Sequence, residues 1–438
     1  MSFFMVLLLI VRLVYPLPGD AGLLLWLSRL DPLLALSQVR SGPSQWFWVP
    51  AATVVATLLF GRVFCGWLCP LGGLLNLFDV AGMSGLRRTT RTPAARWARP
   101  LRALRPQRLL GPLMVLRHYW LWAALAMVLL ATSWPSFLSP YTLLSHEITR
   151  AWYSEAPWVL LSVLAAGLLF FPRFWCVYVC PTGLLLTALS RVRLLRFSIG
   201  DSCTRCGACV RACPVEAARP DARMIDGKCI VCGRCREVCP VGAVTWAPGE
   251  RSKREFAYSQ SRRDFIKAGA IALVLSAGWR HVNRVAPAAP YLRPPGAVAE
   301  EDFVALCNRC GRCIKVCPNR ALWPAPLRSG LAVFETPQLV PRLGRCDLCL
   351  LCQEVCPTGA IRRVPVEQIK IGTAVLDQDR CLAWLQGIEC LVCVEQCPYH
   401  AVMMDELARP VVIVADCSGC GACENACPVE DAAIHVRR

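Results

Sequence analysis

The sequence is poor in acid and in histidine. Its 438 residues include 30 aspartates and glutamates against 48 lysines and arginines, and only 5 histidines. It has no Gly-rich dinucleotide loop in a strand–helix setting, no haem attachment sequence and no molybdopterin motif. Those gaps exclude most terminal chemistry, and no catalytic site of that kind is visible. Bis-histidine haem is disfavoured too, because no second histidine faces His118 at a similar depth. The acid deficit leaves a net charge of +18, which in a soluble chain would suggest nucleic acid. Here the arginines crowd beside apolar segments, where the positive-inside rule concentrates them, so no nucleic-acid partner is expected.

What the chain has in quantity is apolar sequence and cysteine. Hydrophobic residues make up 55%, and four apolar segments precede residue 200, at roughly 3–17, 46–64, 109–131 and 158–171. They predict about four transmembrane helices. A further stretch, 23–36, is broken by Arg29, Asp31 and Pro32 and reads as an interfacial or re-entrant piece. Arg87, Arg88, Arg91, Arg96, Arg99, Arg102, Arg105 and Arg108, with no acid among them, mark a cytoplasmic loop. The loop with His146, Glu147 and Glu155 has only Arg150 and is expected to face outward.

In mid-chain, Ser261-Arg262-Arg263-Asp264-Phe265-Ile266-Lys267 precedes the apolar run 268–279. This is a twin-arginine export signal, a receptor-read address that normally opens a protein. With 260 residues before it, it predicts two joined proteins whose seam marks a change of compartment. The expected location is a bacterial inner membrane, with 197–260 cytoplasmic and 285–438 periplasmic.

The 28 cysteines are spaced as metal ligands. Cys203, Cys206, Cys209 and Cys213-Pro214 are followed by Cys229, Cys232, Cys235 and Cys239-Pro240. In this bacterial two-cluster ferredoxin run the fourth cysteine ligates the other cluster. One [4Fe–4S] cube is therefore expected on Cys203, Cys206, Cys209 and Cys239, and a second on Cys229, Cys232, Cys235 and Cys213. The motif recurs four times: Cys307, Cys310, Cys313, Cys317; Cys346, Cys349, Cys352, Cys356; Cys381, Cys390, Cys393, Cys397; and Cys417, Cys420, Cys423, Cys427. The third of these has a stretched first loop, LAWLQGIE. Six clusters are expected in all. Sequential and nested exchange of fourth cysteines among the last four sets are both open.

A shorter motif occurs twice, as Cys65-Gly66-Trp67-Leu68-Cys69-Pro70 and Cys176-Val177-Tyr178-Val179-Cys180-Pro181. Spacing of i, i+4 puts both thiols of a motif on one helix face. A seventh cluster, a redox-active thiol site and plain packing of buried cysteines are the three readings of Cys65, Cys69, Cys176 and Cys180.

Taken together, residues 1–248 resemble the NapH family of membrane ferredoxin proteins. The paired CxxxCP motifs also resemble those of the regulator NosR and the assembly protein CcoG. Residues 261–438, with the stretched Cys381–Cys397 set and the closing Cys417-Ser-Gly-Cys-Gly-Ala-Cys, resemble the NapG/MauM family of exported polyferredoxins. The expected fold is a multi-domain membrane protein. It comprises an α-helical transmembrane domain (1–196), an α+β two-cluster ferredoxin domain (197–248), a linker (249–260), the signal or anchor (261–280), a Pro/Ala-rich linker (281–300) and a small α+β four-cluster module (301–438). The resemblance implies electron transfer from quinol to a periplasmic partner, a reductase such as nitrate reductase or a cytochrome c, in contact with membrane lipid and the quinone pool. Supply of electrons to a metalloenzyme under assembly is the alternative. A quinol site needs a polar proton acceptor in or near the bilayer, and His118, His146 and Glu147 are the candidates.

Overall fold

The computed structural model divides the chain into two compact units, Met1–Gly278 and Trp279–Arg438. It describes residues 29–38, 48–78, 107–129, 134–152, 155–169, 173–219, 224–225 and 227–248, parts of 266–281, and 291–438 apart from 331. Of the sequence expectations, the first apolar segment (3–17), the arginine-rich loop up to Arg105 and the twin arginines Arg262 and Arg263 lie outside the described residues.

The first unit corrects the expectation of four membrane spans. Among the described residues no helix is long and apolar enough to cross a membrane, where about 20 consecutive apolar residues are needed. The second expected span is a 13-residue helix, Trp48–Phe60, that ends at Gly61 (φ +92°) and Arg62. The fourth is a 12-residue helix, Trp158–Leu169. The third reaches 23 residues, Gln107–Leu129, but Arg108, Arg117 and His118 dilute its apolar character. Nor is the segment expected to face outward a loop. It forms the helix Pro140–Trp152, buries Ser145, His146, Glu147 and Thr149, and packs against the helices Pro70–Phe78 and Trp158–Leu169. The end of the supposed re-entrant piece is likewise a helix, Pro32–Gln38, with Leu33 and Leu34 buried.

These helices share one apolar core with the two-cluster segment that follows. Phe64, Leu71, Tyr141, Phe174, Val177 and Leu186 are continuous with Phe197, Val215, Ile230 and Val244. The two-cluster segment is built on a four-stranded antiparallel sheet of β1 (Leu195–Ile199), β2 (Ala218–Arg219), β3 (Met224–Ile225) and β4 (Val244–Pro248), in the order β2-β3-β1-β4. Five residue pairs from Leu195↔Pro248 to Ile199↔Val244 join β1 to β4, and Phe197 meets Trp246 edge-on at 4.5 Å. Pro248, which cannot donate to a ladder, falls where it is tolerated, at the end of an edge strand.

The second unit has three two-stranded antiparallel ribbons: β5 (Leu322–Pro324) with β6 (Pro337–Leu339), β7 (Thr373–Leu376) with β10 (Ile434–Arg437), and β8 (Val402–Met404) with β9 (Pro410–Val412). One-turn helices follow the second cysteine of each set: Arg312–Val316, Leu351–Glu354, Val392–Glu395 and Ala422–Ala426. The entry to this unit is pinned by Arg293, only 3% exposed. It donates to Thr336 Oγ1 (2.9 Å) and to the Pro337 carbonyl (2.7 Å), pairs with Glu300, and lies over the Phe303 ring at 4.6 Å.

Candidate iron–sulfur sites

All 28 cysteines are free thiols. In five of the six ferredoxin-type sets the second residue after the first cysteine is left-handed: Arg205, Val231, Arg309, Leu348 and Gly419, at φ +52° to +76°. The residue after the second cysteine is left-handed too: Gly207, Gly233, Gly311, Leu350 and Gly421, at φ +60° to +79°. That conformation costs a side-chain-bearing residue about 1–2 kcal/mol, and for a β-branched residue such as Val231 it is a true outlier. Its repetition turns successive backbone N–H groups inward, forming a concavity suited to an anion. The amides reach the sulfurs: Arg205 N and Val231 N donate to Cys203 and Cys229 Sγ, both at 3.4 Å. Fourth cysteines are served as well, with Ala217 N on Cys213 (3.2 Å), Ala243 N on Cys239 (3.3 Å) and Ala401 N on Cys397 (3.2 Å).

The fourth cysteine of each set lies with the neighbouring set. Cys203, Cys206, Cys209 and Cys239 line one cavity with Ile199 and Val244. Cys213 is instead an electrostatic neighbour of Cys229, Cys232 and Cys235. In the second unit the exchange is sequential. Cys356 lies with Cys307, Cys310 and Cys313, and Cys317 with Cys346, Cys349 and Cys352. Cys381, Cys390, Cys393 and Cys427 line one cavity, and Cys397, Cys417, Cys420 and Cys423 another. The stretched third set departs locally: Leu391 is right-handed (φ −99°), and the extra residues form a helical turn, Leu382–Leu385, and a left-handed Gly387.

Burial, and then the charge of neighbouring sulfurs, pushes the Cys235, Cys352 and Cys423 thiols up to about 12. Four thiolates cannot stay ionised in such a cavity by themselves, and an iron core supplies the missing positive charge. The donor set, the amide-lined concavities and the reciprocal fourth cysteines all fit [4Fe–4S] clusters.

The two sequential pairs of the second unit also touch each other. Cys346 N donates to the Cys420 carbonyl at 2.9 Å, and the Cys346 thiol is an electrostatic neighbour of both Cys317 and Cys420. Tyr399 stands at this junction, its phenol raised by burial and by the sulfurs of Cys420, Cys346 and Cys397. In space the sets thus run first, second, fourth, third.

The CxxxCP motifs converge. Cys65, Cys69, Cys176 and Cys180 are all buried and lie within one another's electrostatic reach. Two residues that motif reading missed, Arg62 and Arg173, cross over between the motifs. Arg62 Nη2 donates to the Cys176 carbonyl (3.0 Å) and Arg173 Nη1 to the Cys65 carbonyl (2.8 Å). The signal was present, since each motif extends to R-x2-C-x3-C-P-x-G: Arg62 to Gly72, and Arg173 to Gly183. Asp31 was missed as well. Fully buried, it accepts from Thr182 Oγ1 (2.9 Å) and Leu33 N (3.0 Å), and burial raises its carboxyl to about 6.

The three quinol candidates have different partners. His118 Nε2 meets Arg191 Nη2 at 3.1 Å. His146 Nδ1 meets Glu147 Oε1 at 3.1 Å in a buried pair, and Glu147 Oε2 accepts from Leu160 N (3.0 Å). Burial alone would raise the Glu147 carboxyl, but these hydrogen bonds outweigh it and hold it below its ordinary value.

Six four-cysteine sets with reciprocal fourth cysteines, five of them built on the same left-handed loop, define a ferredoxin-type iron–sulfur protein carrying multiple [4Fe–4S] sites. Comparison with known proteins agrees. Residues 197–240, 228–322 and 387–432 match 4Fe-4S dicluster domain families, and residues 340–362, and 46–86 with 156–200, match 4Fe-4S binding domain families. The chain is 38% identical over 193 residues to the ferredoxin-type protein NapG of Escherichia coli, covering 40% of this chain and 82% of that protein. It is 37% identical over 172 residues to the methylamine utilization ferredoxin-type protein MauM of Methylobacillus flagellatus, covering 35% of this chain and 71% of MauM. With MauM of Paracoccus denitrificans it shares 36% over 196 residues, 40% of this chain and 87% of that protein. The chain belongs to the NapG/MauM family of ferredoxin-type electron-transfer proteins.

Proposed function

We propose that the protein is an electron-transfer subunit of a respiratory chain at the bacterial cytoplasmic membrane, drawing electrons from quinol and delivering them to a periplasmic reductase such as nitrate reductase. One observation carries this reading: the hydrogen bond from Cys346 N to the Cys420 carbonyl, which makes neighbours of two sets that are not consecutive in sequence. A module that only stored clusters would need no such junction. A [4Fe–4S] cluster supplies one-electron chemistry when bound. The chain's own residues order the sites, leaving the Cys307 and Cys381 sets at the two ends of the second unit. In this reading the first unit is a NapH-like partner fused to the NapG/MauM-like unit, and the twin arginines Arg262 and Arg263 direct 285–438 across the membrane.

On the donor side, the buried His146–Glu147 pair is the proposed proton acceptor for quinol. Its carboxylate stays ionised, orients the imidazole and stabilises it once protonated. His118, beside the cationic Arg191, is less suited to gain a positive charge. Anaerobic mixing of the iron-replete full chain with a reduced quinol should bleach the visible cluster absorbance, and His146→Ala should slow the bleaching by about a hundredfold or more. A spectrum that quinol leaves oxidised in the unsubstituted protein would overturn the proposal.

A further inference from the structure

The stretched third set carries residues that its ligands do not need. The other five sets place two residues between their first and second cysteines, whereas eight separate Cys381 from Cys390. Leu385 and Ile388 of this insertion add nothing to the local core and stand exposed. They are held from behind. Trp384 Nε1 donates to the Pro410 carbonyl (3.1 Å) and the Arg409 guanidinium lies over the Trp384 ring at 4.2 Å, which ties the insertion to the β8–β9 ribbon. That ribbon is apolar on its outer face too. Met403 and Val411 are cross-strand partners, and the turn between the strands carries Leu407. Asp405 fixes this turn, its Oδ1 accepting from Leu407 N (2.9 Å) and Arg409 N (2.8 Å). Leu385, Ile388, Met403, Leu407 and Val411 are all between 45% and 67% exposed. Scattered exposed apolar residues are ordinary, but a fixed group on adjoining elements marks a docking face.

The face adjoins the site on Cys381, Cys390, Cys393 and Cys427, whose cavity is lined by Leu382 and Pro410 of the same two elements. That site is one of the two ends of the row of sets in this unit, and the ends differ in charge. From Asp377 to Glu406 stand the acids Asp377, Asp379, Glu389, Glu395, Asp405 and Glu406 and a single base, Arg380. Glu389, Glu395 and Glu406 are exposed. From Cys307 to Arg328, at the other end, stand Arg309, Arg312, Lys315, Arg320 and Arg328 with no acid. A chain of net charge +18 thus has a local excess of acid beside its last sulfur site. Such a field steers a cationic partner to the Cys381 end and away from the Cys307 end. It also opposes two other occupants. An anionic lipid surface would be repelled, and a second copy meeting this face symmetrically would set acid against acid.

We propose that this face docks a redox protein whose own centre opens onto an apolar surface ringed by lysine or arginine. The proposal rests on the reading that the second unit delivers electrons, and it adds where they leave and what receives them. One electron passes from the reduced site on Cys381, Cys390, Cys393 and Cys427 to the partner's oxidised centre, with no bond made or broken. Leu385, Ile388, Met403 and Val411 exclude water from the contact, and the carboxylates around them set its orientation.

A basic c-type cytochrome, rich in surface lysine, is the probe, and the same cytochrome with its lysines succinylated is the anionic control. Calorimetric titration of the iron-replete full chain at low ionic strength should show binding of the basic form alone. Glu389→Lys/Glu406→Lys should weaken that binding about tenfold or more. Leu385→Ser/Met403→Ser should weaken it several-fold at every ionic strength. Glu301→Lys/Glu367→Lys makes the same charge change on exposed residues elsewhere in the unit and should leave binding within about twofold. No binding of the basic form, or equal weakening by the two charge-reversal pairs, would overturn the proposal. Self-association of the chain that Leu385→Ser/Met403→Ser abolishes would overturn it too, and assign the face to a second copy. Stopped-flow reoxidation of the reduced chain scores electron transfer separately. Reoxidation by benzoquinone without cytochrome binding overturns the face and leaves electron delivery standing. Cytochrome binding without reoxidation leaves the face standing and overturns delivery.

Discussion

The two units hold their sulfur sites in different ways. In the first, buried cysteines such as Cys209, Cys229 and Cys235 share one apolar core with Leu71, Leu75, Tyr141, Leu143, Val163 and Leu186 of the helical scaffold. In the second, strands are three or four residues long, and cysteines make up a large part of the interior. Cys307, Cys310, Cys313, Cys352, Cys381, Cys393, Cys417, Cys420 and Cys423 are all buried there. One local core consists of Cys381, Ala383 and Ala433, with Cys390 and Cys427 packed against it. The lesson is that the same ligand motif can be an addition to a fold or the fold's main source of cohesion.

The largest effect that would break this comparison is metal removal. Where ligands form most of the core, binding free energy is folding free energy. Treating the full chain with an iron chelator under reducing conditions should open 291–438 to protease throughout. The helices Pro140–Trp152 and Pro181–Leu189 should stay protected, because Leu143 and Leu186 are buried among apolar neighbours. Equal protection of both units after iron loss would show that the second unit's core stands without its clusters.

A smaller effect sharpens the account of what else holds the second unit. Arg293 is the buried hub of its entry segment, so Arg293→Ala removes its bonds to Thr336 and the Pro337 carbonyl and leaves Glu300 paired with Arg438 alone, and should cost about 1–3 kcal/mol in urea unfolding of the iron-replete protein. The exposed pair Arg363–Glu354 is the control, and Arg363→Ala should leave the midpoint unchanged. If the two variants behaved alike, the clusters alone would carry the unit's stability.

The cysteine sets were legible in the sequence because three ligands to one corner of a cube must be close together, which imposes a fixed local spacing. The expected reciprocal placement of Cys213 and Cys239 came from the known pattern of the two-cluster run and not from spacing within either set. The sequential exchange of Cys317 with Cys356, and of Cys397 with Cys427, was not, because it depends on how ribbons fold back over tens of residues. The expectation of four spans failed because apolar content was counted without regard to where helices stop. Arg62 follows the end of the helix Trp48–Phe60 and Arg173 caps the start of the helix Phe174–Tyr178, and both arginines turn inward to the four thiols and not outward to a charged surface. Only the three-dimensional convergence of the motifs reveals the two arginines as parts of a site.

Asp31 offers the finest test of the first unit's core. It is fully buried beside Thr182, directly after the second CxxxCP motif, and its carboxyl is raised from 3.8 to about 6 by burial, which outweighs the hydrogen bonds from Thr182, Leu33, Leu34 and Ser139. The folded state thus keeps this proton to higher pH than the unfolded chain does. Between the two values the folded state binds more protons, so stability falls as pH rises, and the loss is complete above the folded value. The full difference is about 3 kcal/mol, of which about 1 kcal/mol falls between pH 5 and pH 7. Asp31→Asn accepts the Thr182 hydroxyl bond without titrating, so its unfolding midpoint should lose that part of the pH slope while sharing every contribution from the cysteine sites with the unsubstituted protein. Hydrogen exchange at the amides of the helix Pro181–Leu189, from Thr182 onward, measures the difference locally across this range. Parallel slopes in the two proteins would mean that Asp31 is ionised in the folded state, and that its hydroxyl and amide partners stabilise the charge more than burial opposes it.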